Sequence, residues 1–255
     1  MKRVMLTVAY DGTNYCGWQT QDNGLSIEAV IDKALTELLG EQIHVLGVSR
    51  TDSGVHALGN LCVFDTETQI PSEKICFALN QRLPEDITIQ KSEEVPLWFH
   101  PRKWDSIKTY EYVIYNSKVP NPIERRNSYF YYVPLDVAKM RAAAGYLVGE
   151  HDFKSFASAH GGKTYTVRAI YSLSVTKDGD KIIIRISGNG FLYNMVRIIA
   201  GTLIRVGTGY WEPEHVREIL AAKDRQAAGP KAPAEGLTLI SIELLDPPTV
   251  SEGEA

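Results

Sequence analysis

The sequence predicts an α+β protein made of two related β-α-β-β-α-β halves, with antiparallel or mixed sheets carrying helices. Three observations carry this. Apolar residues switch repeatedly between a period of two and a period near 3.6 along the chain. The order of these segments in the first hundred residues recurs, in degenerate form, in the rest. No uncharged stretch approaches the ~20 residues that a membrane helix needs.

Residues 2–10 are β-rich and form the first strand. A superficial likeness of this segment to a signal peptide fails, because its apolar run is short and Asp11-Gly12 end it with a turn. Ile27, Val30, Ile31, Ala34, Leu35 and Leu38 mark one face of a helix, with Ser26 as N-cap and Gly40 as stop. Strands follow at 43–48 and 60–65. Ser72 opens a second helix to about Asn80, and 86–91 is a further strand.

The second half starts with a strand at 108–115 and a helix from Asp136 to Leu147. Residues 169–176 and 181–187 read as a hairpin around Asp178-Gly179-Asp180. Helices over 191–206 and 213–222 and a strand over 237–245 complete the pattern. The division expected is an N-terminal half over 1–105, a C-terminal half over 106–246 and a disordered tail over 247–255.

Composition is that of a globular chain, with 44% hydrophobic and 23% charged residues in 255. Cys16, Cys62 and Cys76 form an odd, sparse set without metal-like spacing, which predicts reduced thiols and a cytoplasmic protein. The six His show no ligand clustering, and no phosphate-cradling Gly-rich loop or dinucleotide fingerprint is present. Neither a metal nor a cofactor is expected. The net charge of −4 counts at first against a nucleic-acid partner. Setting aside Glu243, Asp246, Glu252 and Glu254 near the C-terminus leaves 27 acids against 27 Lys and Arg. A neutral body can carry a local basic face, and residues 102–126 hold six basic residues against three acids.

Three places invite chemistry. Arg50-Thr51-Asp52-Ser53-Gly54-Val55-His56 lies between two strands, so Asp52 sits on a loop where a carboxylate can meet a ligand. A plain Asx turn needs the glycine but has no use for Arg50 or His56. Arg197 is the sole charged residue between Phe191 and Ile204, and its apolar neighbours demand an acidic partner from elsewhere. Tyr110 and Tyr112 alternate within a strand and share a face, available for sheet packing or for stacking on a base.

The loop continues to Ala57, and Arg-Thr-Asp-x-Gly-Val-His-Ala resembles the signature of the tRNA pseudouridine synthase A family. Further matches follow in family order. They are Tyr10-Asp11-Gly12-Thr13-x-Tyr15-x-Gly17-Trp18-Gln19, Phe99-His100-x-Arg102 and Lys108-Thr109-Tyr110-x-Tyr112. Next come His151-Asp152-Phe153-x-Ser155-Phe156, Gly190-Phe191-Leu192-Tyr193-Asn194-Met195-Val196-Arg197 and Ala232-Pro233-Ala234-x-Gly236-Leu237. Departures from the pattern at Ser49, Ser53, Asn60, Pro101 and Lys103-Trp104 remove no catalytic side chain.

The resemblance implies a cytoplasmic homodimer whose halves meet at a central RNA-binding cleft. It implies isomerisation of uridine to pseudouridine at positions 38, 39 and 40 in the anticodon arm of tRNA. It makes Asp52 the catalytic nucleophile, Arg197 its ion-pair partner and Tyr110 the residue that stacks on the uracil. Arg50, placed to fill the space of a removed base or clamp a phosphate, and His56 and Arg102 complete the expected substrate contacts. The rival expectation is an RNA-binding or RNA-folding protein on the same scaffold without turnover.

Overall fold

The computed structural model describes residues 1–22, 24–158 and 165–245. The tail expected to be disordered from 247 lies outside them. The chain forms two compact units, Met1–Ser106 together with the chain from Leu239, and Ile107–Thr238.

The first unit begins with strand β1 (Lys2–Tyr10), helix α1 (Ile27–Leu39), short strand β2 (Leu46–Gly47) and long strand β3 (His56–Thr66). Helix α2 (Ile75–Asn80) and strand β4 (Ile87–Val95) follow, giving the predicted β-α-β-β-α-β order. β1 is the hub, antiparallel to β3 through pairs such as Leu6↔Cys62 and to β4 through Leu6↔Ser92. Val4, Leu6, Val8 and Tyr10 recur at a period of two and are all buried. The helices cover this apolar surface with Ile27, Ile31, Ala34 and Leu35 from α1 and Ile75, Cys76 and Leu79 from α2. Ser26 caps α1 as expected, its Oγ accepting from the Ala29 N–H at 3.1 Å, and Gly40 ends it in the left-handed region at φ 70°.

The second unit contains β5 (Ser106–Tyr115), β6 (Tyr129–Phe130), α3 (Val137–Gly145), β7 (Gly149–Asp152), β8 (Val167–Asp178) and β9 (Lys181–Gly188). β5, β7, β8 and β9 form antiparallel pairs in the order β5-β9-β8-β7, and β6 runs parallel to β5. Tyr112 and Ile114 of β5 face Ile184 and Ile182 of β9, and all four are fully buried. Helices α4 (Met195–Gly207) and α5 (His215–Ala222) follow. All of α4 except Arg205 is buried. Each fully buried Ile or Leu contributes ~1.5–3 kcal/mol of transfer free energy. The 229–232 segment presses onto α4, because a Cβ at Gly201 would lie 1.8 Å from the Pro230 oxygen.

Three expectations need correction. The strand expected over 43–48 shrinks to Leu46–Gly47, where Trp18 lies so close that a Cβ at Gly47 would sit 2.2 Å from its indole Nε1. The helix expected from Phe191 starts at Met195, because Asn194 takes a left-handed conformation, φ 62°, that a helix cannot run through. The last strand, β10 (Leu237–Leu244), was assigned from the sequence to the C-terminal half. It lies next to β3 in sheet order, and its stretch from Leu239 belongs to the first unit.

Candidate active site

Asp52 lies in the connection between β2 and β3. The turn is tight: the Val55 N–H donates to the Asp52 carbonyl at 3.1 Å, and Gly54 supplies the left-handed position at φ 77°. The segment after β1 fastens this loop from outside. The Trp18 N–H donates to the Thr51 carbonyl at 3.1 Å, and the Tyr15 carbonyl accepts from the Gly54 N–H at 3.3 Å and from Ser53 Oγ at 3.2 Å. Thr51 Oγ1 and Tyr10 Oη lie 2.7 Å apart, and Asn60 Nδ2 donates to the Ser49 carbonyl at 3.1 Å. Thr51 and Val55 are buried, whereas Asp52 between them stays partly exposed. The backbone is thus fixed while Asp52 as a residue stays partly exposed.

Two glycines make the close approach possible. A Cβ at Gly12 would lie 2.0 Å from the Val55 oxygen, and one at Gly17, where φ is 109°, would lie 2.6 Å from the Thr51 oxygen. The Tyr10-to-Trp18 motif therefore acts as a clamp on the acid loop. The sequence reading used that motif only as a resemblance and missed Tyr10, Gly12, Tyr15 and Gly17 as supports. Their signal was present: two glycines and two tyrosines clustered after a strand, with no turn of their own that needs both glycines.

His56, the first residue of β3, is buried at 7% exposure, with Nδ1 3.1 Å from the Gly12 nitrogen and 3.1 Å from Asp11 Oδ1. The two contacts favour different ring states. A backbone N–H can only donate, so the Gly12 bond requires an unprotonated Nδ1; the Asp11 contact becomes an ion pair only on protonation. Asp11 Oδ1 also accepts from Thr13 N–H at 3.0 Å and from Thr13 Oγ1 at 2.5 Å. His56 thus ties the Asp11-Gly12 turn to the strand that follows the acid loop.

Arg50 is exposed at the start of the loop. Arg102 reaches back to β2, its Nε donating to the Gly47 carbonyl at 2.9 Å. Burial lowers the pKa of Arg102, and the positive charge of Arg50 lowers it further, against the opposite pull of Glu28. Two guanidinium groups thus share one neighbourhood beside the acid loop, an arrangement suited to a polyanion.

In the second unit, Tyr110 stands on β5 opposite Ile186 and is 7% exposed. Its ring meets Phe191 edge to face, with centroids 5.3 Å apart and planes at 87°. Tyr112 takes the structural role that either tyrosine offered: fully buried, it donates from Oη to the Pro233 carbonyl at 2.9 Å. Burial pushes its phenol far above the usual range.

Arg197 lies in the first turn of α4 and is buried. Its Nε donates to the Ala232 carbonyl at 2.7 Å and its Nη1 to Asn194 Oδ1 at 3.3 Å. The Ala232 N–H returns a bond to the Arg197 carbonyl at 3.1 Å. These two acceptors are neutral, and they orient the guanidinium. Asn194 is held in turn by Nδ2 donating to Ser158 Oγ at 3.0 Å. The 190–197 and 232–237 motifs therefore form one cradle for Arg197. Ala232 was not singled out from sequence, because a backbone carbonyl leaves no mark on residue type, and Asn194 entered only as one residue of the 190–197 motif.

Within the first unit, then, Asp52, Arg50, His56 and Arg102 gather around one loop. Within the second, Tyr110 and Arg197 sit on β5 and α4. Among the described residues, no group of three or more His, Cys, Asp and Glu could hold a metal ion. No helix of the described residues is long and apolar enough to cross a membrane.

The chain was compared with known proteins. A family model described as tRNA pseudouridine synthase matches residues 6–102 and 143–243, segments that contain Asp52, Arg50, His56, Arg102 and Arg197. The tRNA pseudouridine synthase A of Ruminiclostridium cellulolyticum is 50% identical over 243 residues, covering 95% of this chain and 99% of its own length. That of Brevibacillus brevis is 49% identical over 245 residues and that of a Thermoanaerobacter species 46% over 242, each with the same two coverages. A match of this extent fixes the family: the chain belongs to the tRNA pseudouridine synthases.

Proposed function

We propose that the chain isomerises uridine to pseudouridine in the anticodon arm of tRNA, at positions 38, 39 and 40, with Asp52 acting at the sugar of a flipped-out nucleotide. The observation that carries this is the Asp52 loop: a partly exposed aspartate on a backbone fastened by Tyr15, Trp18, Thr51 and Asn60. The reaction breaks the bond between N1 and C1′, turns the freed uracil and joins C5 to C1′; the proton on C5 then leaves and N1 ends protonated, so the net change is an isomerisation. Nothing is oxidised, reduced or hydrolysed. What it needs is one ionised carboxylate at the ribose, as nucleophile on C1′ or as base for a ribose proton, and a hold on the detached base.

Arg197 is assigned as the ion-pair partner of Asp52. A cation beside a desolvated carboxylate offsets the cost of keeping it charged. Tyr110 is assigned to the uracil, with Phe191 fixing its ring. Arg50 and Arg102 are assigned to the RNA backbone, and His56, buried and bonded to Gly12, to the shape of the acid loop. The target must leave the helical stack to expose C1′ and C5. The active unit is taken to be a cytoplasmic homodimer. The direct test is incubation with an unmodified tRNA transcript and mapping of modified uridines. Pseudouridine at positions 38 to 40 is expected; none anywhere in tRNA would overturn the activity, and pseudouridine in another arm would overturn the position.

A further inference from the structure

The second unit contains a polar, open pocket of about 280 Å³ that the roles above leave unused. Lys108 and Arg168 bring two cations to its wall, Tyr165 and Phe191 bring two rings, and Asn189 and Gly190 close its floor. Glu150 is the single acid in the lining. Its position is informative. Lys108 precedes Tyr110 by two residues on β5, so both project from one face of the sheet, about 7 Å apart along the strand. Phe191 belongs to the pocket wall and also packs edge to face on Tyr110. The pocket is therefore the immediate neighbour of the ring assigned to the uracil.

Arg168 is the informative residue. It is half-buried on β8, and its Nη1 donates to the Val167 carbonyl at 2.5 Å and the Tyr165 carbonyl at 3.3 Å. Burial lowers its pKa, and the Tyr165 phenol alone acts in the opposite sense. A guanidinium held by two neutral carbonyls keeps its charge and its remaining N–H donors for something else. It also sits 6.0 Å from the Tyr165 ring centroid, and that ring is 68% exposed. At Gly190, φ is 153°, and a Cβ would find nothing nearer than Arg168 Nε at 4.0 Å. The floor beneath the guanidinium is thus bare backbone, open to close approach. Asn189 is fixed there by Oδ1 accepting from the Ala169 N–H at 3.0 Å and its own N–H donating to the Ala169 carbonyl at 3.1 Å.

We infer that this pocket is a second nucleotide subsite, which takes the phosphodiester of the ribonucleotide adjoining the target uridine on Arg168 and Lys108, with its base against Tyr165. The inference rests on the reading of the chain as an RNA-modifying enzyme. A phosphate fits the two cations and the planar donor edge of arginine. Glu150 is placed to accept a ribose hydroxyl and leaves the lining net positive. A small-molecule pocket would be mostly apolar instead.

The test is equilibrium binding of an unmodified tRNA transcript across a salt series, which does not depend on turnover. Arg168→Gln keeps polarity and most of the volume. It is expected to weaken binding about tenfold at low salt and to reduce the slope of log affinity against log salt by about 0.7, the share of one single-stranded phosphate contact. Arg168→Lys is expected to keep the slope. Tyr165→Ser, at an exposed position that folding does not depend on, is expected to weaken binding about fivefold with the slope unchanged. Wild-type affinity and slope in Arg168→Gln, or a loss of affinity with an unaltered slope, would overturn the subsite. If Arg168→Gln does not fold, wild-type affinity in Tyr165→Ser overturns it. Failure of the wild-type chain to make pseudouridine would overturn the activity and leave this binding result standing.

Discussion

Asp52 and Arg197 owe their positions to different kinds of support, and their variants should fail differently. Asp52→Asn preserves the side-chain shape, and the loop is fixed by backbone and neighbouring groups rather than by the carboxylate alone. Turnover should fall at least ~10³-fold, about 4 kcal/mol in barrier, with tRNA affinity and thermal midpoint little changed. Appreciable residual turnover in a clean preparation would remove Asp52 from the chemistry. Arg197 is buried on an apolar helix and donates to Ala232 and Asn194. Arg197→Met refills the volume without the charge, so it should lose ~10²-fold or more in turnover per folded molecule, with a modest drop in melting temperature. Turnover per folded molecule near wild type would make Arg197 a purely structural residue. The sequence made both residues conspicuous by contrast: an acid in a polar loop with an Arg and a His, and one cation in the apolar run from Phe191 to Ile204. It could not reveal the Ala232 carbonyl, since backbone acceptors belong to every residue.

At the scale of elements, period and punctuation carried the reading, and pairing escaped it. α1 was legible at both ends because Ser26 and Gly40 act locally, on atoms a few residues away. β10 was legible as a strand and not as a neighbour of β3, since pairing over long sequence distance leaves no local mark. The start of α4 was misplaced because Phe191 and Leu192 continue the apolar pattern into a turn set by the backbone of Asn194. The most useful element is one that a pattern search passes over, the glycine-containing turn after β1. Gly17→Ala would force a Cβ to 2.6 Å from the Thr51 oxygen at a φ of 109°. The acid loop must give way, and a shift near 1 Å at a catalytic group costs roughly 10²-fold. Gly40→Ala is the control: its φ of 70° also carries left-handed backbone strain, but nothing lies within 4 Å of the added carbon. Both variants should lose ~1–3 kcal/mol of stability, and only Gly17→Ala should lose turnover per folded molecule. Equal turnover in the two would detach the β1 turn from catalysis.

For the whole molecule, charge is the property to explain. A chain of net charge −4 is proposed to bind a polyanion, so its attraction must be local and short-ranged. The local cations exist: Arg50 and Arg102 close enough to depress a pKa, and Lys108 and Arg168 around one pocket. Four phosphate contacts, at a slope near 0.7 each, predict binding that weakens roughly 50-fold between about 50 and 200 mM salt. A homodimer presents each such patch twice and gives a long RNA more than one foothold without raising the charge density of either copy. A whole tRNA should therefore bind and react better than an isolated anticodon stem-loop, and its advantage should shrink as salt rises. Light scattering at working concentration, together with turnover on both RNAs across the salt series, tests the pair of claims. A monomer that treats the stem-loop and the whole tRNA alike would confine recognition to the anticodon arm and to one copy of the chain. A dimer whose affinity barely responds to salt would mean that shape and base contacts, rather than these four cations, hold the RNA.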